Sequence, residues 1–122
     1  MSASILVLED DEAVGRLVRR RLETAGHRVR LFARAGAALD AVDGGARFDL
    51  YLLDVAMPTG EVHGLGLARM LKLRLADPRI IFITGDPYLV AGPDRALGPV
   101  FAKPFDFAEL LAAIERRLAS AS

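Results

Sequence analysis

Leu50-Tyr-Leu-Leu-Asp54 sets a carboxylate directly after four apolar residues. An uninterrupted apolar run of that length suits a strand covered on both faces. The design recurs on either side. Ile5-Leu-Val-Leu8 runs into Glu9-Asp10-Asp11, and Ile80-Ile-Phe-Ile83 runs into Thr84-Gly85. Two further runs, Val29 to Phe32 and Val100-Phe-Ala102, make five; the last leads into Lys103-Pro104. Segments of helical period separate most of them. Val14, Leu17, Val18 and Leu22 form one stripe, with Gly26 as its stop. Leu67, Ala68, Leu71 and Leu75 form another, ended by Asp77-Pro78, and an Ala-rich stretch from Ala33 to Val42 closes at Gly44-Gly45. Leu110, Leu111, Ile114 and Leu118 form the last, with Asp106 and Glu109 in front of it at capping-box spacing.

Five strands alternating with helices predict an α/β fold, a flavodoxin-like (βα)5 three-layer sandwich around a parallel five-stranded sheet of order 2-1-3-4-5. The segment Gly85 to Pro99 carries Pro87, Pro93 and Pro99 with Gly92 and Gly98. Proline inside a helix costs about 3 kcal/mol and glycine about 1, so a short or mobile fourth helix is expected there. The chain of 122 residues reads as one domain, 52% apolar and 26% charged, with a formal net charge of zero. That balance argues against a dedicated nucleic-acid binder. With no cysteine, disulfide scaffolds, thiolate metal sites and thiol nucleophiles are excluded. No apolar run approaches the ~20 residues of a membrane span, and the N-terminus lacks the basic start of a signal peptide. A cytoplasmic protein is expected.

Ligand sites in such sheets lie at the carboxyl ends of the strands. Those ends carry Glu9, Asp10 and Asp11, then Asp54, Thr84 and Lys103. Taken singly, each has an ordinary role: an acid at a strand end is usually a turn residue or a helix cap, and a lysine a solvated charge. Together they place carboxylates, one hydroxyl and one ammonium in a single cleft. Clustered carboxylates repel; a hard divalent cation relieves the repulsion, and oxygen-only ligands suit Mg²⁺. A carboxylate beside Mg²⁺ can attack phosphorus, and a lysine and a threonine hydroxyl stabilise the transferring phosphoryl group.

Ile5-Leu-Val-Leu-Glu-Asp-Asp-Glu12, Leu52-Leu-Asp-Val-Ala-Met-Pro58, Ile81-Phe-Ile-Thr-Gly85 and Ala102-Lys-Pro-Phe105, in this order, resemble the receiver domain of two-component response regulators, the CheY-like family. The resemblance covers the whole chain, 1–122, and no output domain is expected after it. It implies that Asp54 accepts a phosphoryl group from a histidine kinase or a histidine phosphotransferase. It implies Mg²⁺ bound by Glu9 (mainly through water), Asp10, Asp54 and the backbone carbonyl of Ala56, with Thr84 and Lys103 on the phosphoryl oxygens. Asp11 is not assigned to the metal. The Lys103-Pro104 bond resembles the family's cis peptide. An unknown downstream protein would read the switch, or the phosphate would be relayed; the protein is not a turnover enzyme, and neither nucleic acid nor membrane is an expected partner.

The sequence also departs from the family. Val100 stands where members carry Tyr or Phe, and strand alternation turns Phe101 to the opposite face. The segment from Gly85 to Pro99 is short, and Thr59 to Gly64 lengthens the loop after Met57-Pro58. Phe82, Thr84 and Gly85 resemble part of the motif of the FATGUY subclass of single-domain receivers. These departures support an alternative: a pseudo-receiver that binds a partner without being phosphorylated. A phosphohydrolase of the haloacid-dehalogenase type would need an acid two residues after Asp54, where Ala56 stands. A flavin carrier would be repelled by the acidic loop after strand one. Arg19-Arg20-Arg21 reads as a solvated helix face, His27 and His63 as surface or loop residues away from the acids, and Tyr88-Leu89 as either a lid or a docking surface.

Overall fold

A computed structural model describes residues 2–55 and 63–120. The elements run β1 (Ser4–Leu8), α1 (Glu12–Thr24), β2 (Arg28–Phe32), α2 (Ala35–Asp43), β3 (Leu50–Asp54), α3 (Gly64–Arg74), β4 (Ile80–Thr84), β5 (Val100–Ala102) and α4 (Phe107–Ala119). The strands form one parallel sheet of order β2-β1-β3-β4-β5. This is the predicted (βα)5 topology. The two-residue alternation of the strands divides the core. Leu6, Leu8, Tyr51, Leu53 and Phe82 pack against α2 and α3. Ile5, Val7, Leu52, Ile81 and Ile83 pack against α1 and α4. A fully buried Leu or Ile contributes about 1.5–3 kcal/mol over an exposed one, so β1, β3 and β4 form a stiff platform whose ends are fixed.

The helix boundaries follow the local chemistry. The Asp11 side chain accepts from the amides of Ala13 and Val14 at the start of α1. Gly26, at φ 98°, supplies the left-handed turn that ends it. Asp106 caps α4 through the amides of Ala108 and Glu109. Within α1 the buried stripe is Gly15, Val18 and Leu22. Leu17 is 54% exposed, a correction to the predicted stripe. The helix comes so close to β2 that Gly15, not Leu17, faces the sheet; a Cβ on Gly15 would lie 3.1 Å from Leu31.

Two 3-10 turns, Pro87–Leu89 and Gly92–Leu97, stand where the short fourth helix was expected. Val90 between them is 3% exposed and is their anchor in the core. Arg69 on α3 forms a paired ion contact with Asp94, Nε to Oδ1 3.0 Å and Nη2 to Oδ2 2.6 Å, which ties the second turn to the body.

His27 departs from the surface role its sequence context suggested. It is 4% exposed, and its Nδ1 accepts from the Ala3 amide at 3.1 Å. Nδ1 therefore lacks a proton and Nε2 carries it, with Glu115 Oε2 3.9 Å away. The imidazole joins the entry to β1 with the turn before β2, at the sheet end opposite the acids. His27→Phe keeps most of the ring volume but removes the acceptor. It is expected to destabilise the protein by about 1–3 kcal/mol, the cost of an orphaned buried amide. Urea denaturation measures this, and an unchanged midpoint would remove the hydrogen bond from the account.

Candidate functional site

Register brings the strand ends together. Leu8 pairs with Leu53, which sets Glu9 beside Asp54. Asp54 pairs with Ile83, which sets Thr84 one residue further along. Thr84 pairs with Ala102, and the Lys103 amide donates to the Thr84 carbonyl at 2.8 Å. Glu9 and Asp54 are each 1% exposed, and Asp10 is exposed. Each of these three acids offers an oxygen within 4.8 Å of the others. Lys103 Nζ donates to Glu9 Oε1 at 2.6 Å and to Asp54 Oδ2 at 3.1 Å. The Lys103-Pro104 bond is cis. Glu9, Asp10, Asp54 and Lys103 thus meet at one mouth. Such an all-oxygen, carboxylate-rich donor set fits a hard divalent cation. Ala56 lies outside the described residues, as does most of the lengthened loop from Thr59.

Thr84 is fully buried, and its hydroxyl is engaged with Asp86: it donates to the Asp86 carbonyl at 3.2 Å and accepts from the Asp86 amide at 3.0 Å. Asp11 serves as the α1 cap, consistent with leaving it out of the metal set. His63 has a role its sequence did not reveal. Its Nδ1 accepts from the amides of Leu65 and Gly66, both at 3.2 Å, and so caps α3. The start of α3 also abuts the site, because a Cβ on Gly64 would overlap the Asp54 carbonyl oxygen. His63 is therefore closer in the chain fold to the acids than strand order alone suggested. Only a residue without a side chain allows that approach, and this is the signal the sequence offered. Val100 packs with the α2–α3 face and Phe101 with the α1–α4 face, as alternation predicted. Tyr88 is 90% exposed and Leu89 47%, so neither forms a lid.

One ammonium lies between two buried carboxylates. Burial raises the Glu9 pKa above 4.5, and the neighbouring Asp54 raises it further against the opposing pull of Lys103. Burial lowers the Lys103 pKa, but its bonds to Glu9 and Asp54 outweigh that and hold it above 10.5. Both groups therefore bind their protons more tightly in the folded chain than in the unfolded one. The Glu9 contribution is complete below pH 4.5 and is lost as pH rises through the raised value; the Lys103 contribution is lost only above 10.5. In metal-free buffer the stability difference between wild type and Glu9→Gln should accordingly shift against wild type as pH rises from 4.5 toward neutrality. Urea midpoints of the two proteins across that range measure it; a pH-independent difference would contradict the assigned direction.

The family model described as "Response regulator receiver domain" matches residues 5–115. The response regulator receiver protein CpdR of Brucella abortus is 34% identical over 120 residues, covering 96% of this chain and 98% of that one. The response regulator MprA of Mycobacterium bovis is 37% identical over 115 residues; this covers 92% of the chain but only 49% of MprA. In fold, the chain matches the response regulator TrrA of Thermotoga maritima, solved in complex with Mg²⁺-BeF, at a TM-score of 0.83 and 24% identity, covering 93% of this chain and 97% of that one. Five parallel strands in flavodoxin-like order, acids gathered at their carboxyl ends and a family match over nearly the whole length agree: the chain belongs to the response regulator receiver domain family.

Proposed function

We propose that residues 1–122 work as one receiver unit of two-component signalling that accepts a phosphoryl group on Asp54. The donor would be the phosphohistidine of a histidine kinase or a histidine phosphotransferase. An Asp54 carboxylate oxygen forms the new O–P bond as the histidine N–P bond breaks, and the leaving imidazole nitrogen keeps the electron pair. The observation that carries this reading is the convergence of Glu9, Asp10 and Asp54 at the strand ends, with Lys103 bonded to Glu9 and Asp54. Glu9, Asp10 and Asp54 would hold Mg²⁺, with the Ala56 carbonyl as a further ligand. When bound, Mg²⁺ would neutralise charge on the phosphoryl oxygens. Lys103 would turn from Glu9 to a phosphoryl oxygen, and the Thr84 hydroxyl would donate to another. The likeness to CpdR supports the receiver reading; such a receiver would act by protein contact, as a switch or a phosphate relay, rather than as a turnover enzyme. Among the described residues no helix is long and apolar enough to cross a membrane; we place the protein in the cytoplasm, where its phosphodonors would be.

Mg²⁺ titration tests the site. At a hundredfold excess over the dissociation constant, linkage adds about 2.7 kcal/mol of stability, or roughly 10 °C in Tm for a domain of this size. Asp54→Asn should raise the metal-free Tm, because it leaves a one-to-one Lys103–Glu9 pair, and should shrink the Mg²⁺ effect. It should also abolish labelling by a phosphorylated histidine phosphotransferase. If wild type shows neither a Mg²⁺ effect nor labelling, the pseudo-receiver reading takes its place; Val100 and the 3-10 turns are the features that favour it.

Lys103→Met separates the ammonium's two tasks. In metal-free protein it leaves Glu9, whose side chain is fully buried, beside Asp54 without a counter-charge. Breaking a fully buried pair costs about 3–5 kcal/mol, and the partial exposure of Lys103 lowers this to about 2. Mg²⁺ should then raise Tm more than in wild type, because it supplies the missing charge. An equal or smaller rise, measured by differential scanning fluorimetry, would mean that Lys103 and the cation do not compete for the same carboxylates.

A further inference from the structure

Among the described residues the buried polar side chains are Glu9, Asp54, Thr84 and His27. The first three belong to the acidic mouth. His27 lies at the other end of the sheet, between two elements that it can bind in turn. Its Nδ1 accepts from the Ala3 amide at 3.1 Å, just before β1. Its Nε2 is buried and, among the described residues, has no hydrogen-bond partner. The Glu115 carboxylate on α4 stands 3.9 Å from that nitrogen, near enough to attract a cation but too far for a hydrogen bond. Glu115 is half-exposed and has room to turn toward the ring. Other charged side chains on the elements that meet there are engaged elsewhere. Glu23 on α1 pairs with Arg19 at 3.7 Å, Arg28 on β2 donates to the Ser2 hydroxyl at 3.2 Å, and Asp49 before β3 accepts from the Ser4 amide at 2.8 Å.

We propose that His27 is a proton-operated clasp that exchanges the entry to β1 for α4. Neutral, the ring binds the Ala3 amide and leaves Glu115 at a distance. A proton taken from solvent goes to Nδ1, the ring nitrogen that lacks one, and meets the Ala3 N–H donor to donor. That contact opens. The same proton makes the ring a cation, and its Nε2–H closes on Glu115 as a charge-assisted hydrogen bond. A buried charge needs such a partner, so the second arm is what permits the exchange within the folded chain. The strand ladder stays intact, because the Arg28 amide still donates to the Ala3 carbonyl at 2.8 Å. The residues before β1 loosen, and α4 is drawn toward the turn between α1 and β2. Histidine is the ordinary pH-responsive side chain, and this one gives the fold a response to acid that is separate from the acidic mouth.

NMR of the ¹⁵N-labelled full chain, from neutral pH down to the onset of acid unfolding, tests the exchange. The scalar coupling across the Ala3 N–H···Nδ1 bond reports the first arm, and the ring ¹⁵N shifts report its charge. The expected result is loss of the coupling in step with ring protonation while the chain is still folded, with the α4 amides around Glu115 shifting over the same pH range. At the pH where half of the wild-type coupling is gone, Glu115→Gln should retain most of it, because the cation lacks its partner. Glu9→Gln, at the far end of β1, should lose it as wild type does. Three results overturn the inference. The ring stays neutral until the chain unfolds; or Glu115→Gln loses the coupling at the wild-type pH, which removes α4 from the exchange; or Glu9→Gln moves the loss, which assigns the change to the acidic mouth.

Discussion

Lys103 sits between Glu9 and Asp54 and brings one positive charge to two buried carboxylates, with Asp10 close by. Buried charge is tolerated only when paired and hydrogen-bonded. Burial raises the Glu9 pKa and the neighbouring Asp54 adds to it, while the bonds of Lys103 to both acids hold the ammonium's pKa up against its own burial. Left to relax, such a cluster would move its acids into water. It stays because the strands that carry it are locked. All five residues of β3 and of β4 are buried, and moving Asp54 outward would disturb the ladder and both helical layers. The apolar core thus supplies the free energy that keeps Glu9 and Asp54 together beside one ammonium, and their oxygens, with that of Asp10, lie close enough together to hold a metal ion.

The surrounding elements respect that constraint. Asp11, the third acid in a row, is turned away by its bonds to the first amides of α1, which prevents another carboxylate from joining the cluster. α3 begins with Gly64 because the Asp54 carbonyl occupies the space a side chain would need. His63 then caps the helix from the adjacent position. Each neighbour either stays out of the acidic mouth or closes it sterically without adding charge.

On the β4–β5 side the packing is looser. Between Thr84 and Val100 the chain makes 3-10 turns held by Val90, by the Arg69–Asp94 pair and by the Thr84–Asp86 bonds. None of these rivals the continuous burial of the central strands. Short 3-10 pieces have poorer hydrogen-bond geometry than α-helix, and exposed ion pairs contribute little. The least stable segment of a fold is the one a small change in hydrogen bonding can move, and this one is bonded directly to a hydroxyl at the site.

Strand positions, their order in the sheet, the ends of α1 and α4 and the identity of the clustered side chains were all legible in the sequence. They depend on local signals: continuous apolar runs, a glycine past a helix, an aspartate before one, and acids or a lysine directly after a strand. The burial of His27, the cap made by His63, the exposure of Leu17 and Tyr88 and the anchoring by Val90 were not legible. Each depends on how closely two elements approach, and a chain of residue types does not encode that distance directly. Pro and Gly excluded a full helix after Thr84, but only packing decided that Val90 would be the residue buried there. Residue order alone is enough to say which charges meet, because register along a parallel sheet carries strand ends to one edge. How those charges share a single ammonium, and which backbone group holds the Thr84 hydroxyl, depends on packing, because hydrogen bonds form between atoms at distances that the whole folded chain sets.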